Sequence, residues 1–145
     1  MDDRSPGVIR LARTDPEVLG CFAVMRQLRP HLTEEDFLPR IRRQQSAGYM
    51  LAWLEREGAV RAVAGFRFLD NLASGRVLYV DDLVTLDGDR SRGNGAELFA
   101  WLVERAREAG CATLELDSGV QRFEAHRFYL ARRMIIPSHH FRLPL

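Results

Sequence analysis

Between Arg76 and Ala109 the chain passes from a two-residue to a 3.6-residue hydrophobic period across a short glycine loop, and few folds accommodate that junction. Tyr79-Val80-Asp81-Asp82-Leu83-Val84-Thr85 reads as the end of a strand, with Leu86 to Asp89 as connector. Arg90-Ser91-Arg92-Gly93-Asn94-Gly95-Ala96 then runs into a segment whose Leu98, Leu102, Ala106 and Ala109 form one helical stripe, stopped at Gly110. Strand, glycine loop and helix start together make an anion site. Glycines let successive amides turn toward a ligand, and a helix start carries roughly half a positive charge, so a pyrophosphate can be held by backbone N–H groups. Arg90 and Arg92 add side-chain charge. Two glycines before a helix can equally make only a tight turn. A dinucleotide fingerprint needs a third glycine, where this chain has Ala96-Glu97-Leu98, and no βαβ series follows.

Lysine is absent: all 21 basic residues are arginine. That excludes a Schiff base to pyridoxal phosphate, a lysine nucleophile and a phosphate-loop lysine. The 20 acidic residues leave a formal charge of +1, so no global positive field holds a polyanion and nucleic acid is not an expected partner. The longest stretch free of charged side chains, residues 44 to 54, falls well short of the ~20 apolar residues of a membrane span. Met1-Asp2-Asp3-Arg4-Ser5 lacks the pattern of a secretory signal, so no membrane association and a cytoplasmic protein are expected. Cys21 and Cys111 have no Cys-x-x-Cys spacing and read as core residues.

The 145 residues suit one domain, without repeats or linkers. Val8 to Leu11 reads as a short strand. Asp15-Pro16-Glu17, taken as N-cap, first-turn proline and first-turn acid, opens a helix through about Leu28, which Pro30 ends. Thr33 and Asp36 resemble a capping box for a second helix to about Gln45. Tyr49–Arg56, Ala59–Leu69 and Arg76–Thr85 read as an antiparallel meander. A strand over Ala112–Asp117, a helix over Phe123–Arg133 and a last strand over Met134–Leu143 complete the order β-α-α-β-β-β-α-β-α-β.

At these residues the chain resembles the GNAT (GCN5-related) N-acetyltransferases. Arg90-x-x-Gly93-x-Gly95 matches their acetyl-CoA loop, [Q/R]-x-x-G-x-[G/A], after a strand ending in acid-acid-apolar-apolar, here Asp81-Asp82-Leu83-Val84. Ala125-His126-Arg127-Phe128-Tyr129 is similar to the family's A-x-x-F-Y helix, and the element order agrees from about Val8 to Leu143. The resemblance implies an α/β acyl-CoA N-acyltransferase fold with a mixed, mostly antiparallel central sheet flanked by about four helices, forming a single acetyl-CoA-binding domain over residues 1–145. It implies that main-chain groups of Leu83, Val84 and Thr85 bond the pantetheine arm. Amides of Arg90, Ser91, Arg92, Gly93, Asn94, Gly95 and Ala96 would hold the pyrophosphate. The thioester would lie where the fourth and fifth strands splay apart, and Tyr129 would protonate the departing thiolate; its plain alternative is a tyrosine packed with Phe128.

The acceptor amine is mostly ammonium near neutral pH, so a base or water path must take its proton. Asp81 and Asp82 are the candidates, with Asp81 favoured by alignment with the acid that many relatives use. Neighbours on a strand face opposite ways, so only one reaches the cleft unless a bulge alters the alternation. The expected reaction is direct acetyl transfer from acetyl-CoA to a small-molecule or peptide amine, without an acyl-enzyme or a metal; the alternative is a non-catalytic acyl-CoA sensor. Family behaviour makes a homodimer plausible. Two positions depart from the family: Arg122 stands where an asparagine is common, and Arg133-Met134 where Gly-Phe is common. His139 and His140 face opposite ways on the expected last strand, a poor metal pair, and could line the acceptor pocket. Glu34-Glu35-Asp36 suits a helix start, with attraction of a cationic acceptor as the sharper reading.

Overall fold

A computed structural model describes residues 5–86 and 93–145. The order is β1 (Val8–Leu11), α1 (Asp15–Gly20), α2 (Phe22–Leu28), α3 (Glu34–Ser46), β2 (Met50–Arg56), β3 (Ala59–Asn71), β4 (Gly75–Thr85), α4 (Asn94–Glu108), β5 (Thr113–Leu116) and α5 (Phe123–Ala131). The chain forms two compact units, Met1–Glu115 and Leu116–Leu145.

In the first unit the meander forms as its turn glycines imply. β1, β2, β3 and β4 pair antiparallel in sequence order, and β5 follows β4 in the sheet after the crossover through α4. The result is the mixed, mostly antiparallel sheet expected. The middles of β2 and β3, residues 51–54 and 62–66, are buried on both faces. Leu51, Trp53 and Val63 join Val18, Met25, Phe37 and Ile41 in one core cluster under α1–α3. The alternate residues Ala52, Leu54, Ala62 and Phe66 turn to the other face, where α4 packs on β2, β3 and β4 and Trp101 meets the Phe66 ring at 5.8 Å.

Three local differences have physical causes. The first helix is capped by Thr14, not Asp15. The Thr14 hydroxyl accepts from Glu17 N at 3.3 Å and Glu17 Oε1 accepts from Thr14 N at 2.8 Å, a full capping box that leaves Pro16 inside the first turn. The same helix breaks at Cys21, whose N–H reaches back three residues to Val18 O at 3.0 Å and tightens the turn after the poor helix former Gly20. In the second unit no strand follows α5 among the described residues. Arg133 turns the chain with φ +65°, Pro137 lacks an N–H, and Ile135, Ile136, Phe141 and Leu143 are exposed. The described residues therefore hold three helices before β2 and lack the expected last strand, giving β-α-α-α-β-β-β-α-β-α.

Cys21 is fully buried, as its core reading requires, and burial followed by the nearby Glu17 charge pushes its thiol up to about 12. The unfolded thiol ionises near 9.0, so between pH 9 and 12 the unfolded chain has released a proton that the folded one keeps, and stability falls as pH rises. Cys21→Ala is expected to cost about 1 kcal/mol at pH 7 through lost burial. It should also shrink the further loss between pH 7 and pH 10 by about 1 kcal/mol. Urea unfolding of both proteins at the two pH values measures this; equal losses would mean that the thiol titrates normally.

Candidate functional site

Gly65 pairs with Asp82 and Phe66 with Val80, so Asp81 is an extra residue in β4 and the strand bulges there. Gly65 faces Tyr49 on the α1–α3 side, and Asp82, its partner, shares that face. The bulge brings Asp81 to it as well. Asp82 Oδ2 accepts from the Tyr49 hydroxyl at 2.8 Å and Oδ1 from Arg29 Nε at 2.9 Å. Asp81 is held by Arg67, with Nη2 at 2.7 Å from Oδ2 and Nε at 3.0 Å from Oδ1. Arg29 Nη2 also donates to the Asp81 carbonyl at 3.0 Å, clamping the bulge itself. The Arg67 guanidinium lies 5.5 Å from the Tyr49 ring centroid, and its Nη2 donates to Gln44 Oε1 at 3.0 Å.

Tyr49 is 3% exposed and sits against Gly65, where an added Cβ would lie 1.7 Å from the phenol oxygen. Only glycine admits the ring. Burial first, and then the charge of Asp82, raise the Tyr49 phenol well above its ordinary value, so it stays a donor to the carboxylate. The hydrogen bond that Arg67 donates to Asp81 raises its own pKa further, with burial opposing. Asp82 lines a cavity of about 290 Å³ together with Met25, Arg29, Arg40, Gln44 and Tyr49.

At the other end of the loop, α4 opens on Gly93, left-handed at φ +84° and ψ 3°, a conformation that favours glycine, and no side chain caps the helix. Its first-turn amides therefore keep their capacity for a ligand or solvent. Asn94, expected to help hold a cofactor, is 2% exposed and its Oδ1 accepts from Arg56 Nε at 3.1 Å, while Arg56 also pairs with Glu97. Gly95 and Ala96 continue the first turn. Arg90, Ser91 and Arg92 lie outside the described residues.

Leu83, Val84 and Thr85 pair with Ala64, Val63 and Ala62 of β3. On the opposite edge, Ala112 N donates to Arg76 O at 2.8 Å and sets β5 beside the start of β4. The four residues of β5 rise about 13 Å, whereas Arg76 to Leu83 spans about 23 Å, so β5 cannot cover Leu83–Thr85. β5 therefore leaves the outer edge of Leu83–Thr85 unpaired by its own residues.

In the second unit Tyr129 lies in α5, its ring edge-on to Phe128 at 5.5 Å between centroids. Burial raises its phenol above the ordinary value, against the lowering charge and hydrogen bond of Arg122. His126 Nε2 is 2.8 Å from Gly119 O, and the exposed His140 lies 3.4 Å from Asp117. Among the described residues no three His, Cys, Asp or Glu side chains converge as a metal set, and no helix is long and apolar enough to cross a membrane.

The described residues thus form a mixed sheet with a bulged fourth strand that β5 covers only in part, and a helix that opens on a left-handed glycine. Residues 8–133 match the model of the Acetyltransferase (GNAT) family, and the chain belongs to that family. It is 36% identical over 126 residues to the uncharacterized N-acetyltransferase YhdJ of Bacillus subtilis, covering 86% of this chain and 89% of that protein. Over 51 residues it is 43% identical to the aminoalkylphosphonate N-acetyltransferase of Salmonella typhimurium, 35% of this chain and 33% of that one. The fold matches the aminoglycoside N-acetyltransferase AAC(6')-Iy, solved in complex with CoA, with TM-score 0.85 and 15% identity over 100% of this chain and 98% of that one.

Sequence reasoning named both aspartates and allowed for the bulge, but it missed Tyr49, Arg29, Arg67 and Gly65. Of these, only Gly65, a glycine inside a strand, carried a sequence signal. Gly65→Ala is expected to destabilise the fold by about 1–3 kcal/mol by expelling the Tyr49 ring. In Tyr49→Ala the added methyl has room, so the two costs should fall well short of adding. Thermal melts of the double-mutant cycle test this, and strict additivity would show that the ring does not rest on Gly65.

Proposed function

We propose that residues 1–145 act as one domain that transfers an acetyl group from acetyl-CoA directly to a primary amine. The observation that carries this reading is the bulge in β4, which sets two carboxylates on one face next to a strand end that β5 is too short to pair. Main-chain groups of Leu83, Val84 and Thr85 would bond the pantetheine amides as an added strand would. Amides at Gly93–Ala96, with the Arg90–Arg92 segment, would take the pyrophosphate. That a protein of the same fold was solved with CoA supports this placement.

In the transfer step the free amine attacks the thioester carbonyl carbon, the C–S bond breaks, and the sulfur leaves as thiolate. Tyr129 supplies the proton that thiolate takes up; its raised pKa keeps the phenol protonated through neutral pH. The amine proton passes to Asp82, directly or through water. Asp82 is preferred here to Asp81, which alignment favours, because Asp82 lines the cavity and Asp81 does not. Asp81 would then act by fixing Arg67 and the bulge. The buried Cys21 thiol, at about 12, stays protonated and offers no nucleophile for an acyl-enzyme. Relatives named for aminoalkylphosphonates and aminoglycosides support a small-molecule amine as acceptor.

Tyr129→Phe is expected to lower kcat about 100-fold, as loss of a general acid does, while acetyl-CoA affinity changes less than about twofold. Thiol release over an amine panel and calorimetry with acetyl-CoA measure the two; equal loss in both would reduce Tyr129 to packing. Gly93→Val should instead weaken acetyl-CoA binding at least tenfold, since a side chain there opposes the left-handed turn by about 1–2 kcal/mol and crowds the amides. Unchanged affinity would remove the anion site from the reading.

A further inference from the structure

The cavity beside Asp82 has a charge pattern that a plain amine site does not need. Its lining carries Arg29, Arg40 and His31 against a single carboxylate, Asp82, which already accepts from Arg29 and from Tyr49. Arg29 is bound to the bulge and to Asp82, so its charge is largely answered. Arg40 is not. It lies on α3 between Phe37 and Gln44, on the face that lines the cavity, and among the described residues it forms no hydrogen bond or ion pair, even with Asp36 one turn earlier. His31, in the loop before α3, is likewise unpartnered among the described residues.

Arg40 and His31 are both exposed, and both border a cavity of about 290 Å³, near the lower end of the volumes that hold small ligands. The geometry points to an acceptor that is a small amine bearing an oxyanion (a carboxylate, phosphate or phosphonate), with the amine toward Asp82 and the oxyanion between Arg40 and His31. A guanidinium presents paired N–H donors to such a group, and an imidazole adds a third. The same charges repel a second ammonium, so diamines and polyamines are disfavoured acceptors. This inference rests on the acetyl-transfer reading above and adds the substrate class.

The test uses the full chain with saturating acetyl-CoA and short amines of matched length: 2-aminoethylphosphonate, β-alanine, n-propylamine and 1,3-diaminopropane. Thiol release should give at least one of the two anionic amines a kcat/KM tenfold or more above those of propylamine and the diamine, and the better of the two identifies the oxyanion. Arg40→Gln should raise KM for that amine about 10- to 100-fold with little change in kcat, and should leave KM for propylamine within about twofold. In parallel, calorimetric titration of the CoA-bound protein should detect the anionic amine more tightly than propylamine, with the difference lost in Arg40→Gln. Preference for propylamine or the diamine, an equal effect of the variant on all amines, or no selective binding of either anionic amine overturns the inference while the acetyl-transfer reading stands. Failure to bind acetyl-CoA at all removes both.

Discussion

The hydrogen bond from Tyr49 to Asp82, made over the bare backbone of Gly65, is the contact around which the candidate site is organised. It joins the segment between α3 and β2 to β4, and it does so inside the core cluster. A hydrogen bond to a charged acceptor contributes about 1.5–3 kcal/mol, and the buried phenol satisfies its hydroxyl by holding that carboxylate in place. The bulge, the two aspartates and the cavity wall all follow from where this contact fixes β4.

Arginine does the remaining work on this face, and the absence of lysine becomes intelligible in that light. Arg67 takes both oxygens of Asp81 while lying over Tyr49; Arg29 spans Asp82 and the Asp81 carbonyl; Arg56 spans Asn94 and Glu97 at the start of α4. Each link uses two or more N–H groups of one planar fork, which a single ammonium cannot reproduce. These forks tie the bulge and the helix start to neighbouring elements. Among the described residues they leave Arg40 uncommitted at the cavity.

Much of the architecture was legible because it is written in local terms. The turn glycines between three β-rich runs predict the meander, and the stripe from Leu98 to Ala106 predicts α4. The family resemblance, carried by Arg90-x-x-Gly93-x-Gly95 and by Phe128-Tyr129, agrees with the family match. Local signals failed where two compete. Thr14-Asp15-Pro16-Glu17 offers two cap residues, and the reciprocal bond from Glu17 selects Thr14. The run from Met134 onward has strand-like residues, but Pro137 and the turn at Arg133 deny it a ladder.

The order of residues by itself determined the fold class, the glycine that starts α4 and the adjacency of two carboxylates, because each depends on near neighbours and on backbone allowed only to particular side chains. Which way those carboxylates point, and what holds them, was decided by pairing between residues far apart in the chain: Gly65 with Asp82, Tyr49 with Asp82, Arg67 with Asp81. A bulge exists only relative to a partner strand, and an arginine's charge is free or answered only once the chain has closed around it. Those are properties of the packed molecule, and no periodicity encodes them.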